Sequence, residues 1–188
     1  MNLRMSDDTT SAPEDPPIAE LFSSEDVEAG LVLQFPSADF PAPPAFRLRV
    51  PATWLAVPVP EAEMAVRDPD AVDGFHPNVV VRVRRTAASD TITDDLFRSV
   101  ALENAAEGLE VLSEEVRVGL DTPARWLLVR FLGPDGRVLL ARHLLVYVPG
   151  SEHVASIVTA VGTFPASAAA ELGPRMDGIV GSLRLGGN

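Results

Sequence analysis

NVVVRVRR, residues Asn78–Arg85, is the stretch that decides the fold, because it alternates side chains with a period of two. One side of this segment carries Val79, Val81 and Val83, and the other carries Val80, Arg82 and Arg84. A two-residue period is typical of a β-strand that has one face in the core and one face towards solvent. We therefore predict a strand with one buried face and one basic face.

A second segment, Phe46–Val50 (FRLRV), has the same period and is also predicted to be a strand. Between the two segments lie a turn that tucks Trp54 under the sheet edge and a short predicted strand, Met64–Arg67. The loop Asp68–Gly74 (DPDAVDG) contains three aspartates, but their spacing is wrong for an EF-hand and no glutamate closes the loop. We interpret this loop as a solvated turn and predict no metal site.

Six arginines occupy strand positions that could face one side of a sheet. They are Arg47, Arg49, Arg82, Arg84, Arg117 and Arg130. If their strands are neighbours, these arginines form a basic stripe that binds an acidic segment or an anionic ligand, since guanidinium groups bind carboxylates in a bidentate manner. The acidic N-terminus of the chain itself is one candidate occupant. The alternative is a solvated face that cross-strand acids neutralise.

The second half of the chain predicts an antiparallel meander. Its strands are Leu109–Val118, Arg125–Leu132, Arg137–Val148 and His153–Gly162. The sequence Gly133-Pro134-Asp135-Gly136 is typical of a hairpin turn. Two helices are predicted around the meander, one at Asp90–Ala106 and one that opens at Pro165, and Pro174 and Gly178 are expected to kink or split the second.

The remaining segments precede the compact domain, which is predicted at residues 46–185. Residues 1–30 contain eight acids and one base, Arg4, and form a predicted disordered tail. Residues 31–45 are a Pro-rich connector with a short predicted strand. Within the tail, Ile18, Leu21 and Phe22 have helical spacing. They predict either a short helix that packs on the domain edge or a docking motif for a groove on a partner.

Composition excludes several classes of function. The chain has 188 residues, a net charge of −12 and no cysteine, so thiolate chemistry, disulfides and lipidated cysteines are ruled out. A strongly acidic protein repels phosphate backbones, so nucleic-acid binding is not expected. No apolar run is long enough to span a bilayer and the first 20 residues lack the apolar region of a signal peptide, so we expect a cytoplasmic protein.

Catalytic equipment is also missing from the sequence. The three histidines, His76, His143 and His153, do not pair at metal-ligand spacing, and His143 is predicted to be a core or boundary histidine with a hydrogen-bond partner. No nucleophile elbow, phosphate-binding loop or dinucleotide motif occurs. We predict that the protein is not an enzyme and that it has no catalytic, cofactor or metal site.

The order of these features resembles a known fold family. A strand ending in V-P-x-x-W (Val50, Pro51, Trp54) precedes a valine strand led by Pro77-Asn78, and the last helix ends in S-L-R-L, Ser182–Leu185. Over Phe46–Leu185 this pattern is similar to the LpqN-type lipoproteins of GC-rich bacteria and to the wider PsbP-like group. That group includes Ran-binding Mog proteins and adaptor chaperones of bacterial secretion systems. Arginine supplies all 15 basic residues, which also indicates a GC-rich bacterial genome.

The resemblance implies an α+β fold in which helices flank both faces of a twisted antiparallel sheet, an α/β/α sandwich. It implies binding to another protein, without catalytic residues to transfer. LpqN-type proteins are exported and lipid-anchored, and this chain lacks the signal and the cysteine, so a cytoplasmic adaptor or chaperone is predicted. The alternatives are a small-ligand binder or unrecognised enzyme with a pocket between sheet and helix, and a structural subunit that acts through homo-oligomerisation.

Overall fold

The computed structural model describes residues 36–37, 41–88, 94–102, 109–117, 122 and 124–186. Nine strands and two α-helices lie in these ranges. In chain order they are β1 (Phe46–Arg47), β2 (Leu55–Ala56), β3 (Met64–Arg67), β4 (Asn78–Ala87), α1 (Asp94–Leu102), β5 (Glu110–Arg117), β6 (Ala124–Leu132), β7 (Val138–Pro149), β8 (Val154–Pro165), α2 (Ala169–Val180) and β9 (Arg184–Leu185). One 3-10 turn, Ala166–Ala168, leads from β8 into α2.

Seven strands form one antiparallel sheet in the order β2-β3-β4-β8-β7-β6-β5. The predicted meander is confirmed, because β5, β6, β7 and β8 are successive neighbours. The opening stretch is also confirmed as a strand, β4, and it lies near the middle of the sheet with Val81 opposite Ala160 of β8. Its two faces differ as the alternation predicts: Val79 and Val81 are buried, whereas Arg82 and Arg84 are exposed.

The two faces of the sheet have separate hydrophobic cores. On one face, which we call the α2 face, Val81, Leu144 and Ala160 pack with the buried side of α2. That side of α2 carries Leu172, Met176, Ile179 and Val180. On the other face, which we call the α1 face, Phe97 packs in a cluster with seven buried strand residues. They are Leu127, Val129, Ala141, Leu145, Tyr147, Ala155 and Ile157.

The sheet and the two helices confirm the predicted mixed α and β class, but the two-sided cover is incomplete in the described part of the chain. Helix α1 packs over the half of the sheet that contains β5, β6 and β7, where Arg98 pairs with Glu114. No described helix covers β2, β3 or β4 on that same face, and Arg82 and Arg84 are exposed there. A complete α/β/α sandwich is therefore not what the described residues form. None of the described helices is long and apolar enough to cross a membrane.

Two predictions near the ends of the domain need correction. The predicted strand Phe46–Val50 is paired only at Phe46–Arg47, and its partner is β9 in a separate two-stranded sheet. The last helix ends at Val180, so Leu183 is buried in the core after the helix, and Arg184–Leu185 is a strand. Local alternation predicts an extended segment, but pairing depends on which distant backbone lies beside it.

Helix α2 approaches the sheet closely at Gly162. A Cβ atom on Gly162 would lie 3.0 Å from Val180 Cγ2 and 3.2 Å from Met176 Sδ. The glycine therefore lets the helix backbone settle against β8 without a steric clash. Pro174 lies inside α2, which continues as one helix from Ala169 to Val180, so the helix is not split there, and a kink at Pro174 or Gly178 stays a prediction.

Several predictions concern residues outside the described ranges. They are the tail at residues 1–30, the candidate docking motif Ile18, Leu21 and Phe22, the short strand at 31–35, and the helix start at Asp90–Thr93. These remain predictions. The compact unit that includes every element above spans Phe35–Asn188.

Candidate functional site: the basic patch and groove beside β3 and β4

The cross-strand register shows that the six predicted arginines lie on opposite faces of the large sheet and partly outside it. Arg82 and Arg84 lie on the α1 face of β4, because Arg82 is opposite Thr159, which is opposite Leu145 of the α1-face cluster. Arg130 lies on the α2 face, opposite Leu140, and forms a surface ion pair with Glu110. One basic stripe made of all six residues is therefore not formed, since Arg82 and Arg130 are on opposite faces.

The other three arginines are also separated from Arg82 and Arg84. Arg47 lies in β1, outside the seven-stranded sheet, and Arg49 follows it, where its backbone N–H donates to Ser182 Oγ at 2.8 Å. Arg117 ends β5 at the far edge of the sheet, opposite Ala124. Whether any of these arginines binds a partner stays a prediction.

Arg67 joins Arg82 and Arg84 on the uncovered part of the α1 face. It is opposite Asn78, which has the same side-chain direction along β4 as Arg82 and Arg84. We call Arg67, Arg82 and Arg84 the basic patch. The patch is formed by one residue of β3 and two of β4, so only the register of these two strands reveals it.

A groove of about 310 Å³ opens next to the basic patch. Its floor is a cross-strand row in which Ala65 of β3 lies opposite Val80 of β4, while the backbone N–H of Val57 donates to the carbonyl of Ala65 at 3.0 Å. The complete lining is Val57, Val59, Ala65, Val66, Arg67, Phe75, His76, Asn78 and Val80. The groove is thus apolar on most sides, with Arg67 as its one charged residue in the described structure.

Arg67 has an unusual environment for a cationic side chain. Its Nε atom is buried and has no hydrogen-bond partner among the described residues. A buried N–H of a guanidinium group that lacks an acceptor is destabilising, and an ionised acceptor compensates best. A carboxylate that pairs with the terminal nitrogens of this guanidinium from the groove would offset that cost.

A tight turn builds the end wall of the groove. Val72 and Phe75 form an isolated bridge around Asp73 and Gly74, whose φ angles are 50° and 72°. Two central residues with positive φ are typical of a type I′ turn, for which Asp-Gly is a favoured sequence. The turn presents Phe75 and His76 to the groove. His76 Nδ1 lies 3.0 Å from the carbonyl oxygen of Asp68, so Nδ1 carries the hydrogen and donates.

The same loop is anchored to helix α2 by Asp68. Asp68 is buried, and its Oδ2 lies 3.0 Å from Nη1 of Arg175. The guanidinium of Arg175 stacks over the ring of Trp54 at 5.4 Å. A second link joins the loop to the chain just before α2, where Ser167 Oγ donates to Asp73 Oδ2. The groove wall is therefore held by polar contacts that reach around the end of the sheet.

A second arginine–aspartate–tryptophan contact holds the other side of α2. Nε of Arg142 on β7 lies 2.5 Å from Oδ1 of Asp177, and Nη2 lies 3.3 Å from Oδ2. Its guanidinium also stacks over Trp126 at 5.6 Å. Nη2 donates to Oδ2, whereas Nε and Oδ1 are close as an ion pair but make no hydrogen bond. Helix α2 is consequently attached to the sheet by two such contacts, and neither leaves a free cation for a ligand.

His143 is buried on the α1 face, as the sequence predicts, but its surroundings are apolar. Its cross-strand neighbours are Val161 of β8 and Leu127 of β6. Nδ1 has no hydrogen-bond partner among the described residues, and burial lowers the pKa of His143 to about 4. The imidazole is neutral at pH 7 and belongs to the core.

Exposed apolar side chains concentrate near the sheet edges. Among the described residues the large exposed ones are Leu55, Leu112, Val116, Leu132 and Val138. Leu55 lies on the edge strand β2, and Leu112 and Val116 lie on the opposite edge strand β5. No group of three or more acidic or histidine residues that could hold a metal ion occurs in the described ranges.

Sequence reasoning missed Arg67 and the groove. In MAVR (Met64–Arg67), the alternation places Ala65 and Arg67 on the same side of the strand, opposite to Val66. That pattern cannot tell which residues of β4 lie beside Arg67. The sequence around His76 indicates no metal site and no groove. Its place in the groove depends on the Asp73-Gly74 turn, which was interpreted as a solvated loop.

The topology and the two cores define an antiparallel α+β fold of the PsbP-like kind. The crystal structure of LpqN, involved in cell envelope biogenesis of Mycobacterium tuberculosis, is similar with a TM-score of 0.59 and 15% identity, over 77% of this chain and 84% of that chain. The solution structure of cyanobacterial PsbP (CyanoP) from Synechocystis sp. PCC 6803 is similar with a TM-score of 0.53 and 17% identity, over 85% of this chain and 99% of that chain. These likenesses confirm the LpqN/PsbP-like fold. No protein-family model and no curated protein matches the sequence.

Proposed function

We propose that this chain is a non-enzymatic protein-binding module that recognises an acidic segment of a partner, as an adaptor or chaperone of a bacterial envelope or secretion system. The observation that carries the proposal is the pair of exposed arginines, Arg82 and Arg84, on a part of the sheet that no described helix covers. They are cationic groups on a chain with a net charge of −12. Two neighbouring arginines favour and steer an acidic partner.

The comparison with LpqN supports the envelope part of the proposal, since that protein is involved in cell envelope biogenesis. The cytoplasmic location expected from the sequence remains a prediction, and fractionation of cells that express the full chain measures it. A partner in the envelope is compatible with a site on either side of a membrane.

The direct test uses the full chain and a labelled ten-residue peptide rich in Asp and Glu. Fluorescence anisotropy measures its binding at about 50 mM and about 500 mM NaCl, where screening differs most for exposed charges. Wild-type protein is expected to bind the peptide more weakly at the higher salt concentration. The double variant Arg82→Gln/Arg84→Gln is expected to bind about tenfold more weakly at low salt.

The matched control is Arg47→Gln/Arg49→Gln, which removes the same charge from arginines outside the seven-stranded sheet. It should bind as the wild type does, and circular dichroism should show that both double variants are folded. Absence of binding, binding that salt does not change, or an equal loss in the two double variants would each overturn the proposal.

A further inference from the structure

We propose that the groove between the β2–β3 hairpin, β4 and the Asp73-Gly74 turn is a binding site for a small apolar carboxylic acid, whose carboxylate pairs with Arg67. This site goes beyond the proposed protein-binding function. It uses Arg67, whereas the peptide-binding proposal uses Arg82 and Arg84 on the neighbouring part of the same face. The two proposals therefore stand or fall separately.

The size and lining of the groove set the kind of ligand. Its volume of about 310 Å³ lies at the lower end of small-molecule sites, which run from roughly 300 to 1,000 Å³. Val57, Val59, Phe75 and Val80 supply apolar side chains around it. A short aliphatic chain buries its surface against these side chains, whereas a sugar or nucleotide finds few polar partners there.

The charged residue in the groove determines which head group the ligand carries. Arg67 is the charged lining residue, and its buried Nε lacks an acceptor among the described residues. A carboxylate in the groove accepts from the two terminal nitrogens of the same guanidinium in a bidentate pair. A phosphate dianion carries more charge and needs more donors than one guanidinium supplies, so the carboxylate is the better complement.

The site is held in shape before a ligand arrives. Asp68 links the groove loop to Arg175 of α2, and Asp73 accepts from Ser167. On the floor, Asn78 Nδ2 donates to the carbonyl of His76 at 3.1 Å. Fixed walls reduce the entropy that a ligand must offset on binding, which makes a small ligand sufficient.

Isothermal titration calorimetry of the full chain with sodium octanoate tests the site. Octanoate is expected to bind with a stoichiometry of one, and 1-octanol, which has the same chain without the charge, is expected to bind about tenfold more weakly or not at all. Arg67→Gln should lose about tenfold in affinity for octanoate, while Arg47→Gln, which removes the same charge outside the seven-stranded sheet, should bind as the wild type does.

A second variant keeps the test decisive if Arg67→Gln does not fold. Val59→Asp leaves Arg67 in place and brings a carboxylate of the protein into the groove, so it should abolish octanoate binding. The proposal is overturned if octanoate does not bind at about 10 mM, if octanol binds equally well, or if Arg67→Gln binds as the wild type does. It is also overturned if a pentapeptide with a free C-terminal valine displaces octanoate and binds about tenfold more tightly, since the occupant would then be a partner protein.

Discussion

Four buried side-chain nitrogens have no hydrogen-bond partner among the described residues: Trp54 Nε1, Arg67 Nε, Arg142 Nε and His143 Nδ1. Arg67 lines the groove beside β3 and β4, whereas the other three residues do not line it. His143 has the clearest consequence, because its charge state depends on pH. Burial lowers its pKa to about 4 from an ordinary value of 6.5.

This shift predicts a loss of stability in mild acid. The unfolded chain takes up the proton near pH 6.5, whereas the folded chain takes it up only near pH 4. The contribution of neutral His143 to the free energy of unfolding is therefore complete above pH 6.5 and is lost progressively as the pH falls to 4. The total loss is about 3 kcal/mol. Urea denaturation of the wild type and of His143→Leu between pH 7 and pH 4 measures it.

The variant His143→Leu should lack this part of the pH dependence, although carboxylates add their own change in both proteins. His153→Gln is the matched control, since His153 is exposed and its loss should leave the wild-type profile unchanged. Parallel profiles for the wild type and His143→Leu would contradict the prediction.

At the residue scale, the sequence predicts that His143 is in the core because it keeps register with Leu139, Ala141 and Leu145. It also predicts a hydrogen-bond partner, and Nδ1 has none in the described structure. The reason is the register: the cross-strand neighbours are Val161 and Leu127, which offer no polar side chain. Neighbours across a sheet come from distant segments, so periodicity within one strand cannot identify them.

At the scale of the elements, the contact between α2 and the sheet depends on Gly162. Gly162→Ala should lower the free energy of unfolding by about 1–3 kcal/mol, because the new methyl group meets Val180 Cγ2 and Met176 Sδ at close range. Gly178→Ala is the matched control: Gly178 lies exposed within α2, a Cβ there meets nothing within 4 Å, and the change should stabilise the protein by about 0.5–1 kcal/mol. Chemical denaturation of both variants measures whether each change lowers or raises the free energy of unfolding. Equal effects would show that α2 is not packed tightly at Gly162.

The loop that walls the groove depends on Asp68. Asp68→Ala removes the acceptor for Arg175 and for the backbone N–H of Asp70, so the free energy of unfolding should fall by about 2 kcal/mol. Asp70→Ala, an exposed neighbour, should change it by less than about 0.5 kcal/mol. Thermal and urea denaturation compare the two. A loss of similar size in both would mean that general loop charge, and not the link to α2, stabilises this region.

The sequence predicts elements well where the pattern is long and local. The strand β3 has the bounds that were predicted, and the hairpin at Gly133–Gly136 closes with Gly133 N–H donating to the carbonyl of Arg137 at 2.8 Å. The strand prediction fails in part for Phe46–Val50, where two residues pair with another strand and three do not. The groove could not be predicted from the sequence either, because three separate segments form it and they meet only after β2, β3 and β4 have paired.

At the scale of the whole molecule, the two edges of the large sheet are unequal. One edge is the two-residue strand β2, whereas the other is β5, which has eight residues and a bulge between Val111 and Ser113. Short strands and bulges both limit pairing between molecules. The exposed apolar residues Leu112 and Val116 instead favour contact between molecules. The net charge of −12 opposes that contact by electrostatic repulsion.

When salt screens the net charge, attraction between molecules through the β5 edge should become measurable. In about 0.5 M NaCl at pH 7, static light scattering should detect attraction between wild-type molecules. Leu112→Thr/Val116→Thr should reduce it, since threonine retains strand propensity and exposes less apolar surface. Leu55→Thr on the two-residue edge should have a smaller effect. If Leu55→Thr reduces attraction as much as the double variant does, the β5 edge is not the contact.

The position of β4 in the sheet also has a consequence for how the chain folds. Its only neighbour that precedes it in sequence is β3, and its other neighbour, β8, pairs residue 162 with residue 79. During synthesis β4 must therefore wait, with one edge unpaired, until almost the whole domain has left the ribosome. An apolar β-strand in that condition readily aggregates, and charged residues within it act against this. Arg82, Arg84 and Arg85 place charges within β4 that oppose such aggregation.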